Sequence, residues 1–183
     1  MRVLTILVTV LLPLQSAVAA EPPPGPQLGK PAPVFSLRDR EGALVSLGDL
    51  AYAGPERPTR PRHVVVLDFF RTDCKPCIKS LPKLVELHKK YHAKRVKVIL
   101  VALLEEEEGQ EKLDRFLERQ GLPFLVLVDP YAAAGKKYVE KAGNVQLPSL
   151  FVIDRTGVLR HRTQGVTAEA APKLHKLIDG LLK

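Results

Sequence analysis

The fold and the chemistry of this chain are decided by one stretch, Val64-Val65-Val66-Leu67-Asp68-Phe69-Phe70-Arg71-Thr72-Asp73-Cys74-Lys75-Pro76-Cys77. Its apolar first half predicts a buried strand, and the CxxC motif that follows predicts the start of a helix. Unpaired backbone N–H groups and the helix dipole stabilise a thiolate at such a position. We therefore expect Cys74 to be a nucleophile, and both cysteines of the chain lie in this motif.

Two other uses of the cysteine pair are a structural disulfide and a zinc site. A disulfide across so short a loop removes little entropy from the unfolded chain. A zinc site would add His88 and His92, which complete a C-x2-C…H-x3-H pattern. However, the residues from Cys77 to His88 read as one helix, which places the histidines roughly 16 Å away from the cysteines, far beyond bonding distance. We expect both histidines to be solvated neighbours.

The N-terminus predicts export. Met1-Arg2 precedes an apolar stretch from Val3 to Leu14 and the small residues Ala17-Val18-Ala19, which is the pattern of a secretory signal peptide. We expect a signal peptide at residues 1–19, a proline-rich leader at 20–28 and one domain at 29–183. The expected compartment is the bacterial periplasm, with an uncleaved membrane anchor as the alternative.

The charge of the chain is basic, with 28 Lys and Arg against 20 Asp and Glu. The basic residues are spread over several segments without a base-reading motif, and an exported protein does not meet genomic DNA, so we expect no nucleic-acid partner. A basic surface instead suits acidic partners or lipid headgroups.

Apolar runs and helical stretches alternate along the domain. Helices are predicted over Cys74–Tyr91, Gly109–Gln120, Tyr131–Lys141 and Ala168–Leu182. Strands are predicted over Val64–Phe70, Val96–Leu104, Phe124–Val128, Leu150–Ile153 and Val158–Arg162, and a β-hairpin over Val34–Leu37 and Leu44–Leu47. This order predicts an α/β domain with a sheet covered on both faces.

Four motifs in this order resemble the exported TlpA/ResA-like branch of the thioredoxin superfamily. They are Gly29–Leu37 at the domain start, Asp68–Cys77, Pro82, and Leu147–Asp154. The resemblance extends to the C-terminus, and the segment from about Leu104 to Lys141 matches the helix-and-strand insertion of that branch. It implies a thioredoxin fold: a mixed central sheet flanked by helices, with an N-terminal β-hairpin and the inserted helix-strand segment.

The chemistry of a CxxC pair assigns roles to the site residues. Cys74 would attack a substrate disulfide and the more buried Cys77 would resolve the mixed disulfide. Asp68 would take the proton of Cys77, since thioredoxin carries a buried acidic residue here, and a dry carboxyl has a raised pKa. The alternative is that strand alternation turns Asp68 to a wet edge. Pro148 resembles the family's cis-proline, and Leu147 would then pair its backbone with an extended substrate.

The chain departs from the family pattern beside the first cysteine, where Asp73 replaces the usual Trp and Phe70 occupies the place of a second common Trp. Asp73 could cap the helix or disfavour the Cys74 thiolate. The positive charge of Lys75 acts in the opposite sense and favours the Cys74 thiolate. Asp73, Lys75 and Pro76 are expected modulators of the site, and the resemblance adds Glu105 and Glu108 as candidates. The alternative for the two glutamates is an acidic loop that stabilises the N-terminus of the next helix.

The resulting expectation is an exported thiol–disulfide oxidoreductase that acts as a reductant of protein disulfides. By resemblance, apocytochrome c is an expected substrate and a membrane thiol–disulfide reductase the electron donor. The redox-active pair Cys74 and Cys77 requires no metal or organic cofactor. One alternative is a peroxiredoxin-type thiol peroxidase, but the Pro-x-x-x-Thr/Ser-x-x-Cys signature of that class is absent here. The other alternative is a non-catalytic binding or copper-handling module. A copper site of that kind would use a methionine-rich ligand set, and the only methionine of the chain is Met1.

Overall fold

A seven-stranded mixed sheet forms the centre of the protein in a computed structural model that describes residues 25–52, 62–104, 109–141 and 144–183. The strand order is β2-β1-β5-β4-β3-β8-β9. These strands are β1 (Ser36–Asp39), β2 (Leu44–Ser46), β3 (Val64–Phe70), β4 (Val96–Leu103), β5 (Leu125–Asp129), β8 (Ser149–Ile153) and β9 (Leu159–Thr163). A separate two-stranded ladder pairs β6 (Glu140–Lys141) with β7 (Asn144–Val145).

The central strand β3 carries the active-site motif at its carboxyl end. It runs parallel to β4 and antiparallel to β8, and all seven of its residues are buried. Burial on both faces explains why its sequence is a nearly continuous apolar run rather than an alternating one. The one exception in that run, Asp68, is therefore held in an apolar environment.

Helices cover both faces of the sheet. They are α1 (Leu47–Ala51), α2 (Lys75–Tyr91), α3 (Gly109–Gln120), α4 (Ala133–Tyr138) and α5 (Ala171–Leu181), with a 3-10 turn at His92–Lys94. The apolar sides of α2, α3 and α5 share one core cluster with Cys77, whereas α1 and α4 contribute to a second cluster on the other face. The CxxC motif thus lies on the three-helix side of the sheet.

The architecture expected from the resemblance is confirmed, including the hairpin of β1 and β2 and the inserted segment of α3, β5 and α4. The prediction for Tyr131–Lys141 was too long. Helix α4 ends at Tyr138, and Glu140–Lys141 form β6 instead. Its start at Ala133 is fixed by Asp129, whose buried carboxylate accepts hydrogen bonds from the backbone N–H groups of the first three helical residues.

The histidines of the rejected zinc pattern are neighbours, but only one is solvated. His92 is exposed, and its ring stacks on His88 with centroids 5.4 Å apart. His88 is half-buried against Phe124, with ring centroids at 5.8 Å, and desolvation lowers its pKa. The expectation that both rings are solvated was therefore wrong for His88, which serves as a packing residue at the end of α2.

The expected signal peptide lies outside the described residues, as does most of the leader. Its last residues, Gly25–Leu28, are described: the carbonyl of Gln27 accepts a hydrogen bond from Lys30, and the N–H of Gly29 donates to Leu159. No helix in the described part of the chain is both long and apolar enough to cross a bilayer.

Candidate active site

Cys74 occupies the N-cap of α2, at the end of a three-residue loop after β3. Its backbone N–H donates to the carbonyl of Arg71 at 3.2 Å, which closes the turn that leads from the strand into the helix. The Cys74 Sγ accepts a hydrogen bond from the N–H of Cys77 at 3.3 Å. A thiolate at this position would keep that donor and would face the positive end of the helix dipole, so the local structure favours ionisation of Cys74.

The two cysteines form a disulfide in this structure and differ in exposure. Cys74 is half-buried, whereas Cys77 is fully buried in the core cluster under α2. Of the two cysteines, Cys74 is therefore the one that solvent and an incoming protein can contact. This asymmetry is the geometry that a two-step thiol–disulfide exchange requires.

Asp68 is fully buried in the middle of β3, and neither of its carboxylate oxygens has a hydrogen-bond partner among the described residues. Desolvation raises the pKa of this carboxyl well above its ordinary value. Asp68 pairs in register with Leu100 of β4 and Leu150 of β8, and both belong to the core cluster that contains Cys77. Asp68 therefore lies on the cysteine side of the sheet, and the alternative of a wet edge is excluded.

The Leu147–Pro148 peptide bond is cis, as the resemblance implied, and leads directly into β8. Gly165 packs against this proline: a Cβ added at Gly165 would lie 3.0 Å from the Pro148 Cγ and 3.7 Å from the Cβ of Ser80. The Ser80 hydroxyl in turn donates to the carbonyl of Cys77 at 2.8 Å. Contacts through Gly165 and Ser80 thus join the cis-proline to the helix that carries the cysteines.

Asp73 does not cap α2, because the N-cap is Cys74 itself. The Asp73 carboxylate is held by Arg71 through two hydrogen bonds, from Nε at 3.0 Å and from a terminal guanidinium nitrogen at 2.6 Å. This hydrogen bonding, with the added charges of Arg71 and Lys112, lowers the pKa of Asp73. The alternative role of Asp73 as a helix cap is therefore excluded, and its carboxylate beside Cys74 is compensated by a neighbouring cation.

The remaining expected modulators divide into two groups. Lys75 and Pro76 are exposed and occupy the first two positions of α2, where a proline is tolerated because the first N–H groups of a helix have no intrahelical partner. Glu105 and Glu108 lie outside the described residues, between Leu104 and the start of α3 at Gly109.

Sequence reasoning missed three residues of this site: Arg71, Ser80 and Gly165. A signal existed for Arg71, since a cation two residues before an acidic side chain in a short loop indicates an ion pair. Nothing comparable exists for Ser80 and Gly165, because their contacts join segments distant in the sequence.

The sequence profile described as the AhpC/TSA family matches residues 28–162. The chain is 36% identical to the thiol-disulfide oxidoreductase ResA of Bacillus anthracis over 131 residues, which are 72% of this chain and 66% of that protein. It is 31% identical to ResA of Geobacillus thermodenitrificans over 150 residues, covering 81% of this chain and 75% of that protein. The matched region thus covers just under two thirds of the length of the Bacillus anthracis protein.

Solved structures show the same architecture. A putative thiol:disulfide interchange protein DsbE from Chlorobium tepidum superposes with a TM-score of 0.71 and 28% sequence identity, covering 87% of this chain and all of that chain. StoA from Bacillus subtilis superposes with a TM-score of 0.60 at 22% identity, covering 81% of this chain and 97% of that chain, which supports the fold alone.

Proposed function

Since this chain belongs to the AhpC/TSA family, adopts a thioredoxin-like fold and is homologous to ResA thiol–disulfide oxidoreductases, we propose that it exchanges disulfides with exported proteins as a reductant. The observation that carries the proposal is the asymmetry of the CxxC pair. Cys74 is accessible at a helix N-terminus, whereas Cys77 is fully buried on the side of the sheet where Asp68 lies.

In the first step, the Cys74 thiolate of the reduced protein attacks one sulfur of a substrate disulfide. A bond forms between the Cys74 Sγ and that sulfur, the substrate S–S bond breaks, and the other substrate sulfur leaves as a thiolate. The N–H of Cys77 and the dipole of α2 stabilise the attacking thiolate before the reaction.

In the second step, the thiol of Cys77 must lose its proton in a buried environment. Asp68 is the group that accepts it: burial raises the pKa of the carboxyl, which brings its proton affinity closer to that of a thiol. The Cys77 thiolate then attacks the Cys74 Sγ, which forms the Cys74–Cys77 disulfide and releases the second substrate sulfur as a thiolate. The substrate gains two electrons, and the CxxC pair loses them.

Leu147 and Pro148 hold the substrate segment beside the disulfide. The cis bond leads into β8 next to the strand that ends at the CxxC motif, and the ring of Pro148 is buttressed by Gly165. The backbone of Leu147 pairs with an extended substrate as an added strand, which makes binding depend on the main chain rather than on one side chain.

The expected setting is the bacterial periplasm. The signal-like pattern at residues 1–19 supports export. The resemblance to the TlpA/ResA-like branch supports apocytochrome c as a disulfide substrate, with a membrane thiol–disulfide reductase returning electrons to the CxxC pair.

The test is trapping with an oxidised peptide that carries a C-x-x-C-H motif, incubated with reduced Cys77→Ser and with the matched control Cys74→Ser. We expect a stable mixed disulfide on Cys74 of the first variant and none on the second. Equilibration of the wild-type pair with glutathione is expected to give a potential more negative than that of glutathione. Trapping through Cys77, a more positive potential, or hydrogen peroxide reduction faster than peptide reduction would contradict the proposal.

A further inference from the structure

Helix α2 carries a row of lysines that begins at the CxxC motif. Lys75, Lys79, Lys83 and Lys90 are separated by four, four and seven residues, so they lie on one face of the helix. We call this row the lysine stripe. It extends for about 22 Å along the helix, at 1.5 Å per residue.

The lysine stripe is only partly neutralised. Lys83 donates to both carboxylate oxygens of Glu86 at 3.1 and 2.9 Å, and the ammonium of Lys90 lies 5.1 Å from the ring centroid of Tyr91. Lys75 and Lys79 are exposed, and neither has an ion-pair partner among the described residues. Among the described residues, only Lys83 of the four lysines has a carboxylate partner, and two of the other three, Lys75 and Lys79, lie at the active-site end of the helix.

The position of this charge opposes helix stability. A helix N-terminus favours acidic side chains and disfavours cations, because the dipole is positive there. The first turn of α2 contains no acidic residue and begins with Lys75, and Lys79 follows one turn later. Basic residues in the last turn, such as Lys89 and Lys90, are favoured by the dipole, whereas Lys75 in the first turn is disfavoured by it and Lys79 gains nothing from it.

We infer that the lysine stripe is a docking surface for an acidic, extended segment flanking the disulfide of a protein substrate. This inference rests on the proposed function and names the chemistry of the partner. The stripe starts at Lys75, directly after the N-cap Cys74, so a segment lying on the stripe ends at the active-site end of α2. At about 3.3 Å per residue, six or seven extended residues would span the stripe.

A protein segment fits this surface better than an anionic lipid surface. Lys75 and Pro76 directly follow Cys74, so a planar headgroup layer against α2 would cover the sulfur that a substrate has to reach. A narrow acidic segment can bind the lysines of the stripe while the disulfide of the same substrate lies at Cys74. Charge attraction of this kind accelerates encounter and weakens with salt.

The test uses three oxidants with the reduced full-length protein: two disulfide peptides that differ only in acidic or basic flanking residues, and uncharged hydroxyethyl disulfide. We expect the acidic peptide to react roughly tenfold faster than the basic peptide at low salt, and this ratio to fall toward one at high salt. In Lys79→Glu the ratio should also fall toward one at low salt, with Lys79→Gln intermediate.

The matched control is Lys136→Glu, which changes the net charge equally at an exposed position of α4, on the opposite face of the sheet. It should keep the ratio of the wild-type protein. Equal rates for the two peptides, with normal reaction toward hydroxyethyl disulfide, would overturn this inference and leave the proposed function intact.

Loss of reaction with all three oxidants would overturn the proposed function and the docking surface together. Binding of the protein to phosphatidylglycerol vesicles, but not to phosphatidylcholine vesicles, combined with equal peptide rates, would assign the lysine stripe to a lipid surface instead. A ratio that falls equally in Lys79→Glu and Lys136→Glu would show an effect of net charge alone and would also contradict the inference.

Discussion

Arg71 and Asp73 form a two-point ion pair in the loop before Cys74, with hydrogen bonds of 3.0 and 2.6 Å. The backbone carbonyl of Arg71 also accepts the N–H of Cys74. The charge of the Asp73 carboxylate is therefore largely balanced within the same loop, with a further contribution from Lys112.

Substitutions in this pair should move the pKa of Cys74 in opposite directions. Arg71→Met removes the main cation that compensates the Asp73 carboxylate and should raise the pKa of the Cys74 thiol, whereas Asp73→Asn leaves the guanidinium unpaired with Asp73 and should lower that pKa. The double variant should lie near the wild type. Exposed pairs contribute less than about 1 kcal/mol, so each shift in redox potential should stay below roughly 20 mV.

The measurement is a pH titration of the thiolate absorbance, which gives the pKa of Cys74 in the wild type, the two single variants and the double variant. If Arg71→Met lowers the pKa of Cys74, or if the two single substitutions shift it in the same direction, the Arg71–Asp73 pair does not act on Cys74 through its charges.

Asp68→Asn should slow the resolving step while leaving the first attack nearly unchanged. The amide keeps the size of the side chain but cannot take the proton of Cys77. A loss of about a hundredfold in release of the mixed disulfide is expected from general base catalysis of 10²–10⁴-fold. Rapid-quench analysis of the mixed disulfide separates the two steps, and an unchanged release rate between about pH 6 and pH 9 would rule out a base at this position.

The same carboxyl should make stability depend on pH. Its folded-state pKa is raised by burial above the value in the unfolded chain, so the folded protein holds this proton more tightly. The stabilising contribution is complete below the ordinary Asp pKa and is lost as the pH rises through the folded-state pKa. Asp68→Asn should remove this loss and be more stable than the wild type at alkaline pH.

Thermal unfolding of the wild type and of Asp68→Asn, measured from acidic to alkaline pH, tests whether Asp68 destabilises the folded protein as the pH rises. A difference of about 1 kcal/mol would appear as roughly 2–4 °C in a chain of this size. Parallel pH profiles for the wild type and Asp68→Asn would show that Asp68 does not cause the dependence.

Gly165→Ala should impair reaction with peptide disulfides more than its effect on stability explains. Gly165 has φ of 71°, where a Cβ costs roughly 1–2 kcal/mol, and the new atom would also press on Pro148 at 3.0 Å. Displacement of the proline should reduce the peptide rate by about tenfold or more, because reaction depends on alignment. Hydroxyethyl disulfide, which makes no strand-like contact, should be affected less.

Gly42→Ala is the matched control for this prediction. Gly42 has φ of 85° in the β1–β2 hairpin, and a Cβ there would meet no atom within 4 Å. It should show a similar loss of stability without a change in peptide rate. Equal rate losses in the two variants would indicate that backbone strain, not the contact with Pro148, is responsible.

The sequence by itself determined the central elements of this protein. Strand β3 and helix α3 were predicted with their observed limits. A strand buried on both faces is a continuous apolar run, and a helix buried on one face has apolar residues at helical spacing, so both can be identified from residue types. The Leu147-Pro148 motif predicted the cis bond that the structure shows, through resemblance to a known family.

Only the tertiary structure decided the environment of each site residue. Whether Asp68 is dry depends on Leu100 and Leu150, which β4 and β8 bring beside it from distant parts of the chain. The contact of Gly165 with Pro148 and Ser80 likewise joins three separate segments. Residue type and spacing record the faces that an element buries, whereas desolvation, close packing and charge compensation depend on which neighbours the fold places within a few ångströms.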